Sequence, residues 1–152
     1  MVSTGSGRNK LSLLASMRAV VFALGVLCTT ACRPDATTPR GAAERFLDAH
    51  YVRIDLPAAL EVTSGLARHK VEDEIRLVQG QEIDDSTRKP TVHYRLLEEH
   101  PDGDHAVNYL FRANITVEDA DGFERRWLVT VRREESGWRV TNYQELAGET
   151  GG

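Results

Sequence analysis

Cysteine is nearly absent from this chain. Of 152 residues only Cys28 and Cys32 carry thiols, and both lie in or beside an apolar run near the N-terminus. The remainder can form no disulfide and no cysteine cluster for zinc, so its stability has to come from a packed core. Gly-rich phosphate loops, a nucleophile elbow and a zinc-protease helix are missing too. No Asp/Glu spacing resembles a calcium loop. No metal and no cofactor are expected on these grounds. No long block of like charge suggests an acidic or basic tail. Arg8, Lys10 and Arg18 are the only charged residues before Cys32, so residues 33–152 hold the other 16 basic and all 23 acidic residues, a net of −7. A domain this acidic is a poor partner for nucleic acid, whose phosphates demand cations. By its overall charge it is an equally poor peripheral binder of anionic lipid headgroups.

What is present begins with an address. Residues 1–16 are rich in Ser and Gly, Met17-Arg18 follows, and Ala19 to Ala31 form an apolar run. That run is too short to cross a bilayer comfortably, which takes about 17–25 residues. It suits the apolar region of a secretory signal preceded by a basic segment. A start at Met17 would give a compact signal with Arg18 as its basic end. Thr29-Thr30-Ala31-Cys32 resembles a bacterial lipoprotein signal, although Thr29 stands where such signals usually have Leu. The resemblance implies that Cys32 is acylated and becomes the new N-terminus, with the domain held to a membrane by acyl chains and facing the periplasm. Arg33 after the cysteine implies an outer-membrane rather than an inner-membrane destination. The alternatives are an ordinary cleaved signal with Cys32 a bystander, or an uncleaved short anchor.

The organisation read from the sequence is a leader at 1–32, a tether at 33–40, an α+β domain at 41–147 and a disordered tail at 148–152. Thr38 and Pro39 suit a helix start, and Ala42, Ala43, Phe46, Leu47, His50 and Tyr51 recur at helical spacing. Asp55 caps a short second helix running through Val62. Leu66, Val71, Ile75 and Val78 stripe a third helix, whose solvated face carries Glu72, Asp73, Glu74 and Arg76. Residues 79–90 read as loop. After Pro90 the period changes to two: Val92, Tyr94 and Leu96; then Val107 to Val117; then Phe123, Trp127, Val129 and Val131; then Trp138 and Val140. The turns are Pro101-Asp102-Gly103-Asp104, Asp121-Gly122 and Ser136-Gly137, which make three hairpins and four antiparallel strands. Asn108, Arg112, Asn114, Thr116, Glu124, Arg126 and Arg132 mark the wet face.

Helices followed by a strand meander mean α+β. The helix Ala42-Ala43-Glu44-Arg45-Phe46-Leu47-Asp48-Ala49, two shorter helices and a meander ending in Gly137-Trp138-Arg139-Val140 resemble the nuclear transport factor 2-like (cystatin-like, SnoaL-like) superfamily. That resemblance implies helices packed on a curved four-stranded sheet, forming a cone that some members use for catalysis and others only for binding.

Candidate chemistry is sparse. His50, Tyr51 and Asp48 could form a catalytic group in the cone, with His50 as general base. The plainer reading is a half-buried helix end, since residues two apart point to different sides of a helix. His100 and His105 flank a turn with Asp102 and Asp104, a conceivable metal site but more simply a solvated turn. Trp127 and Trp138 read as core anchors rather than ligand platforms. Asn142 and Arg125 fall in the inward phase of their strands and need polar partners if buried. Arg125-Arg126 and Arg132-Arg133 read as cross-strand ion pairs with Glu124, Glu134 and Glu135. The expected function is non-catalytic binding of a small ligand or of an envelope protein. Alternatives are an enzyme using the cone, or a structural subunit pairing through an edge strand.

Overall fold

A computed structural model describes residues 35–80, 89–118 and 120–147. The leader, Cys32 and the 148–152 tail lie outside the described residues, as does the segment 81–88.

Helix α1 spans Pro39–Leu47 and begins inside the stretch read as tether. Thr38 caps it, its Oγ1 accepting from Gly41 N at 3.0 Å, and Pro39 costs no hydrogen bond in the first turn. Gly41 is needed here by a close approach, because a Cβ would overlap the Asp35 carbonyl. A π-helical turn, Asp48–Val52, continues directly from α1. It closes with Asp55 N donating to Ala49 O at 2.8 Å and with Ile54 in the left-handed region at φ 55°. Helix α2 spans Leu56–Leu60, capped by Asp55 as expected, its carboxylate accepting from Ala58 N at 3.1 Å. Helix α3 spans Gly65–Val78.

Four strands follow: β1 Thr91–Pro101, β2 Ala106–Thr116, β3 Phe123–Glu134 and β4 Gly137–Ala147. They form one antiparallel sheet in the order β1-β2-β3-β4. Each expected hairpin is there. The α+β reading therefore holds, with helices on one face of an open four-stranded meander.

The strand period decides which side chains meet the helices. Tyr109, Phe111 and Ala113 of β2 and Trp127, Val129 and Val131 of β3 are buried against Ala42, Ala43, Phe46 and Leu47 of α1. Helix α3 adds Ala67 and Val71, whereas Leu66 and Val78 of the expected stripe are exposed. The stripe is shorter because only the middle of α3 meets the core.

Two bulges alter the phase. One lies between Leu96 and Glu98 of β1, and the other leaves Thr141 of β4 unpaired opposite Thr130–Val131. The second places both Val140 and Tyr143 on the core side. Asn142 consequently pairs with Thr130 on the other phase, contrary to the simple alternation, and its Oδ1 accepts from Lys70 Nζ at 3.0 Å. A bulge inserts one residue and inverts the facing of everything beyond it. On the open face, Arg112 approaches Glu124 at 3.2 Å, and Leu110 sits directly across from Leu128. Among the described residues Arg126, Arg132 and Arg133 form no ion pair, so the expected pairing of those arginines with neighbouring glutamates is not found. The β4 edge is covered at Val140, whose N–H donates to Val62 O at 3.0 Å and whose carbonyl accepts from Ser64 N at 2.9 Å.

Candidate functional site

A cavity of about 360 Å³ opens at the mouth of the helix–sheet cone. His50 and Tyr51 of the π-helical turn, Val92 of β1, Ile115 of β2 and Trp127 of β3 line it, with Arg125 and Glu145 among the flanking residues. The π-helical turn is what brings both His50 and Tyr51 here. Its wider winding shifts the side chains off the 3.6 period, so neighbours in sequence crowd one side.

Trp127 fills the cone rather than standing at its rim: it is 1% exposed. Tyr51 stacks on it with ring centroids 4.0 Å apart and planes 12° from parallel. The Trp127 indole N–H is buried and finds no acceptor. At the rim, Arg125 Nε donates to Glu145 at 2.8 Å and its guanidinium lies 4.7 Å from the centroid of the Phe123 ring. Arg125 is therefore on the cavity side and satisfied by an ion pair across to β4. Phe123 is 43% exposed. Ile54 also lines the cavity, in a conformation that a β-branched side chain rarely adopts.

His50, part of the cavity wall, sits in an aromatic cage. Phe46 stacks on it at 5.1 Å, Tyr51 meets it edge-on at 4.3 Å, and Tyr143 lies at 5.1 Å. Its Nε2 donates to Glu74 Oε2 at 2.6 Å, while Nδ1 is buried without a partner. The other oxygen of Glu74 accepts from the Tyr143 hydroxyl, also at 2.6 Å. Burial of the imidazole outweighs the attraction of Glu74 and holds His50 below the usual histidine range. Burial thus favours the neutral form of the ring. Burial likewise pushes the Tyr51 and Tyr143 phenols up, with Glu145 and Glu74 adding respectively the larger charge effects.

Asp48 does not join His50. Its carboxylate accepts from the Tyr94 hydroxyl at 2.7 Å, tying the π-helical turn to β1. The partners of His50 are Glu74 and Tyr143, neither of which sequence reasoning singled out. Glu74 read as part of a solvated helix face, and it is indeed partly exposed, with its side chain at 36%. Tyr143 is 7% exposed and reaches the site only because of the β4 bulge. One signal was available: Glu74 is the acid three residues after Val71 on a helix whose core side carries Val71 and Ile75. At the Pro101–Asp104 turn, His100 Nε2 pairs with Glu98 at 2.7 Å. Among the described residues no group of three or more His, Cys, Asp or Glu side chains could hold a metal.

A second, larger cavity of about 520 Å³ lies apart from this site, beside the Ser136–Gly137 turn. Its lining includes Ala36, Thr37, Arg45, Arg133, Trp138 and Arg139.

With this geometry in view, the neighbours among solved structures are nuclear transport factor 2-like and cystatin-like folds. A candidate calcium/calmodulin-dependent protein kinase type II association domain from Thiobacillus denitrificans superposes with a TM-score of 0.58 at 18% identity, covering 74% of this chain and 96% of that one. An NTF-2 like protein of unknown function from Shewanella oneidensis gives 0.52 at 11% identity, covering 71% and 98%. A ketosteroid isomerase-like protein from Erwinia carotovora gives 0.51 at 15% identity, covering 72% and 93%. Identities this low establish the fold alone. No protein-family model matches the sequence, and no curated protein is significantly similar to it.

Proposed function

We propose that this chain is an exported domain, anchored by acyl chains on Cys32, that binds a small, flat, largely apolar ligand at the mouth of its cone without transforming it. The observation that carries the binding reading is the Trp127 indole N–H, buried and lacking an acceptor beside a cavity walled by Tyr51, Val92 and Ile115. A buried donor without a partner costs free energy, and a ligand acceptor would recover it. The expected ligand has an aromatic or aliphatic body and one hydrogen-bond acceptor. Its polar end would lie toward Arg125 and Glu145.

The cage around His50 supports binding over catalysis. A general base must reach the proton it takes. Here Phe46, Tyr51 and Tyr143 surround the imidazole, and Glu74 occupies Nε2. One observation favours a second reading: Nδ1 is unpartnered on a ring oriented by a carboxylate, which is how bases are held in hydrolases. Edge pairing as a structural subunit is disfavoured. The β4 edge is covered by Val62–Ser64 at Val140, and the β1 edge carries His93, Arg95 and Glu98.

The test is titration of the ¹⁵N-labelled protein with planar aromatic acids and amides. The Trp127 indole resonance should move on binding while the fold is retained. If every compound leaves that resonance in place, the cavity is not a ligand site. Turnover of any bound compound that is lost in His50→Gln would replace the binding reading with the enzymatic one.

A further inference from the structure

The second cavity gathers three arginines. Arg45 of α1, Arg133 of β3 and Arg139 of β4 converge on it although the domain as a whole is acidic. Two of the three are engaged. Arg45 is 3.9 Å from Glu61, and Arg139 donates to the Glu61 carbonyl and, at 3.2 Å, to Ser136 Oγ. Arg133 has no carboxylate partner among the described residues, and its guanidinium stands 5.9 Å from the Trp138 ring centroid. Among the described residues Glu61 is the one acid lining the cavity, and the three arginines outnumber it.

The position of this cavity matters as much as its charge. Ala36 and Thr37 form part of its wall. They belong to the turn that starts α1, where Thr38 N donates to Asp35 O at 3.1 Å and the Asp35 carboxylate accepts from Thr37. Ala36 is four residues from Cys32, a span of at most about 14 Å when extended. The headgroup layer on each side of a bilayer is about 5–8 Å deep. An acylated Cys32 therefore keeps this cavity at the membrane surface. Arginines recognise phosphate with a planar array of donors, and a half-buried tryptophan suits the boundary between headgroups and acyl chains.

We propose that this cavity is the face the domain lays on the bilayer, where Arg45, Arg133 and Arg139 take the phosphate of an anionic phospholipid headgroup and Trp138 meets the interface. The proposal rests on the Cys32 anchor for its geometry, and it turns the net acidity of the domain into an orienting device. The acidic remainder is repelled by the membrane while one basic patch beside the anchor is drawn to it. The cone mouth is lined by a different set of residues, so headgroup contact leaves it free.

The experiment uses the full chain carrying Cys32→Ser, which cannot be acylated, and co-sedimentation with vesicles at low ionic strength. Partition into vesicles of phosphatidylglycerol and phosphatidylethanolamine should exceed that into phosphatidylcholine and fall as salt is raised. Arg133→Gln should lower it about fivefold, and Arg133→Lys should retain most of it. Equal partition into both vesicle types, or no effect of Arg133→Gln in a protein with a native circular dichroism spectrum, overturns the proposal. A parallel titration with inorganic phosphate follows the Arg133 amide resonance. Saturable phosphate binding without vesicle binding would make this a free-anion site and also overturn it. Incorporation of labelled fatty acid into the wild-type chain reports separately on the anchor. Absent labelling with intact Arg133-dependent partition removes the anchor and keeps the headgroup seat.

Discussion

The Glu74 carboxylate lies 2.6 Å from His50 Nε2, joining the middle of α3 to the π-helical turn that follows α1. Its second oxygen accepts from Tyr143, so one side chain ties two helical elements to the last strand. Glu74→Ala leaves a buried imidazole N–H and a mostly buried phenol without their acceptor. The expected loss is about 1–3 kcal/mol of unfolding free energy, read by urea denaturation. A loss within experimental error would mean that water replaces the carboxylate at no cost and that the bridge is incidental.

The same histidine makes stability depend on pH. Burial depresses the His50 pKa from its ordinary 6.5, and the Glu74 and Glu145 carboxylates offset that only in part. In the window between the folded value and 6.5 the unfolded chain binds the extra proton and the folded one does not. Stability therefore rises with pH across that window. The contribution is complete above about pH 6.5 and is lost as pH falls below it. Wild type compared with His50→Gln at pH 5 and pH 7.5 isolates this effect, and the variant should lose less stability in acid. Identical acid sensitivity in the two proteins would contradict the assignment.

Trp127 is the largest fully buried side chain and stacks on Tyr51. Trp127→Ala should cost about 3–5 kcal/mol by chemical denaturation. Trp127→Phe keeps the stacking surface and removes the unpartnered N–H, so it should cost far less while abolishing the acceptor-dependent part of ligand binding. Equal destabilisation by both substitutions would show that the indole N–H is satisfied in solution.

Cys32→Ala should move the protein from the membrane to the soluble fraction and abolish lipid labelling. A single acyl chain holds only marginally and two or more hold stably, so the shift should be nearly complete. A variant that stays on the membrane, paired with a wild type that takes up no lipid, would leave the chain with no acyl anchor.

Much of the architecture was legible because it is written in local periods. The alternation of Val107, Tyr109, Phe111 and Ala113 places them all on the core side, and the burial of each agrees. The Thr38 and Asp55 caps and the Ser136–Gly137 turn are short-range signals that depend on neighbouring backbone groups alone. The site was less legible. Asp48 and His50, two apart in the chain, do not pair, and nothing local indicates that Tyr94 takes the first and Glu74 the second. Those contacts join residues 46 and 24 apart in the chain.

Sequence alone determined that helices precede a four-stranded meander, which faces of β2 and β3 are apolar, and that the domain has no cysteine of its own. Hydrophobic period and turn chemistry are properties of short stretches, and so they survive without knowledge of the fold. Tertiary structure decided the rest: the bulge that swings Tyr143 inward, the π-helical turn that sets His50 beside Glu74, and the meeting of Arg45, Arg133 and Arg139 beside Ala36. Each depends on distant segments closing on one another. The balance of burial and strain that settles such closures exists only once the core has packed.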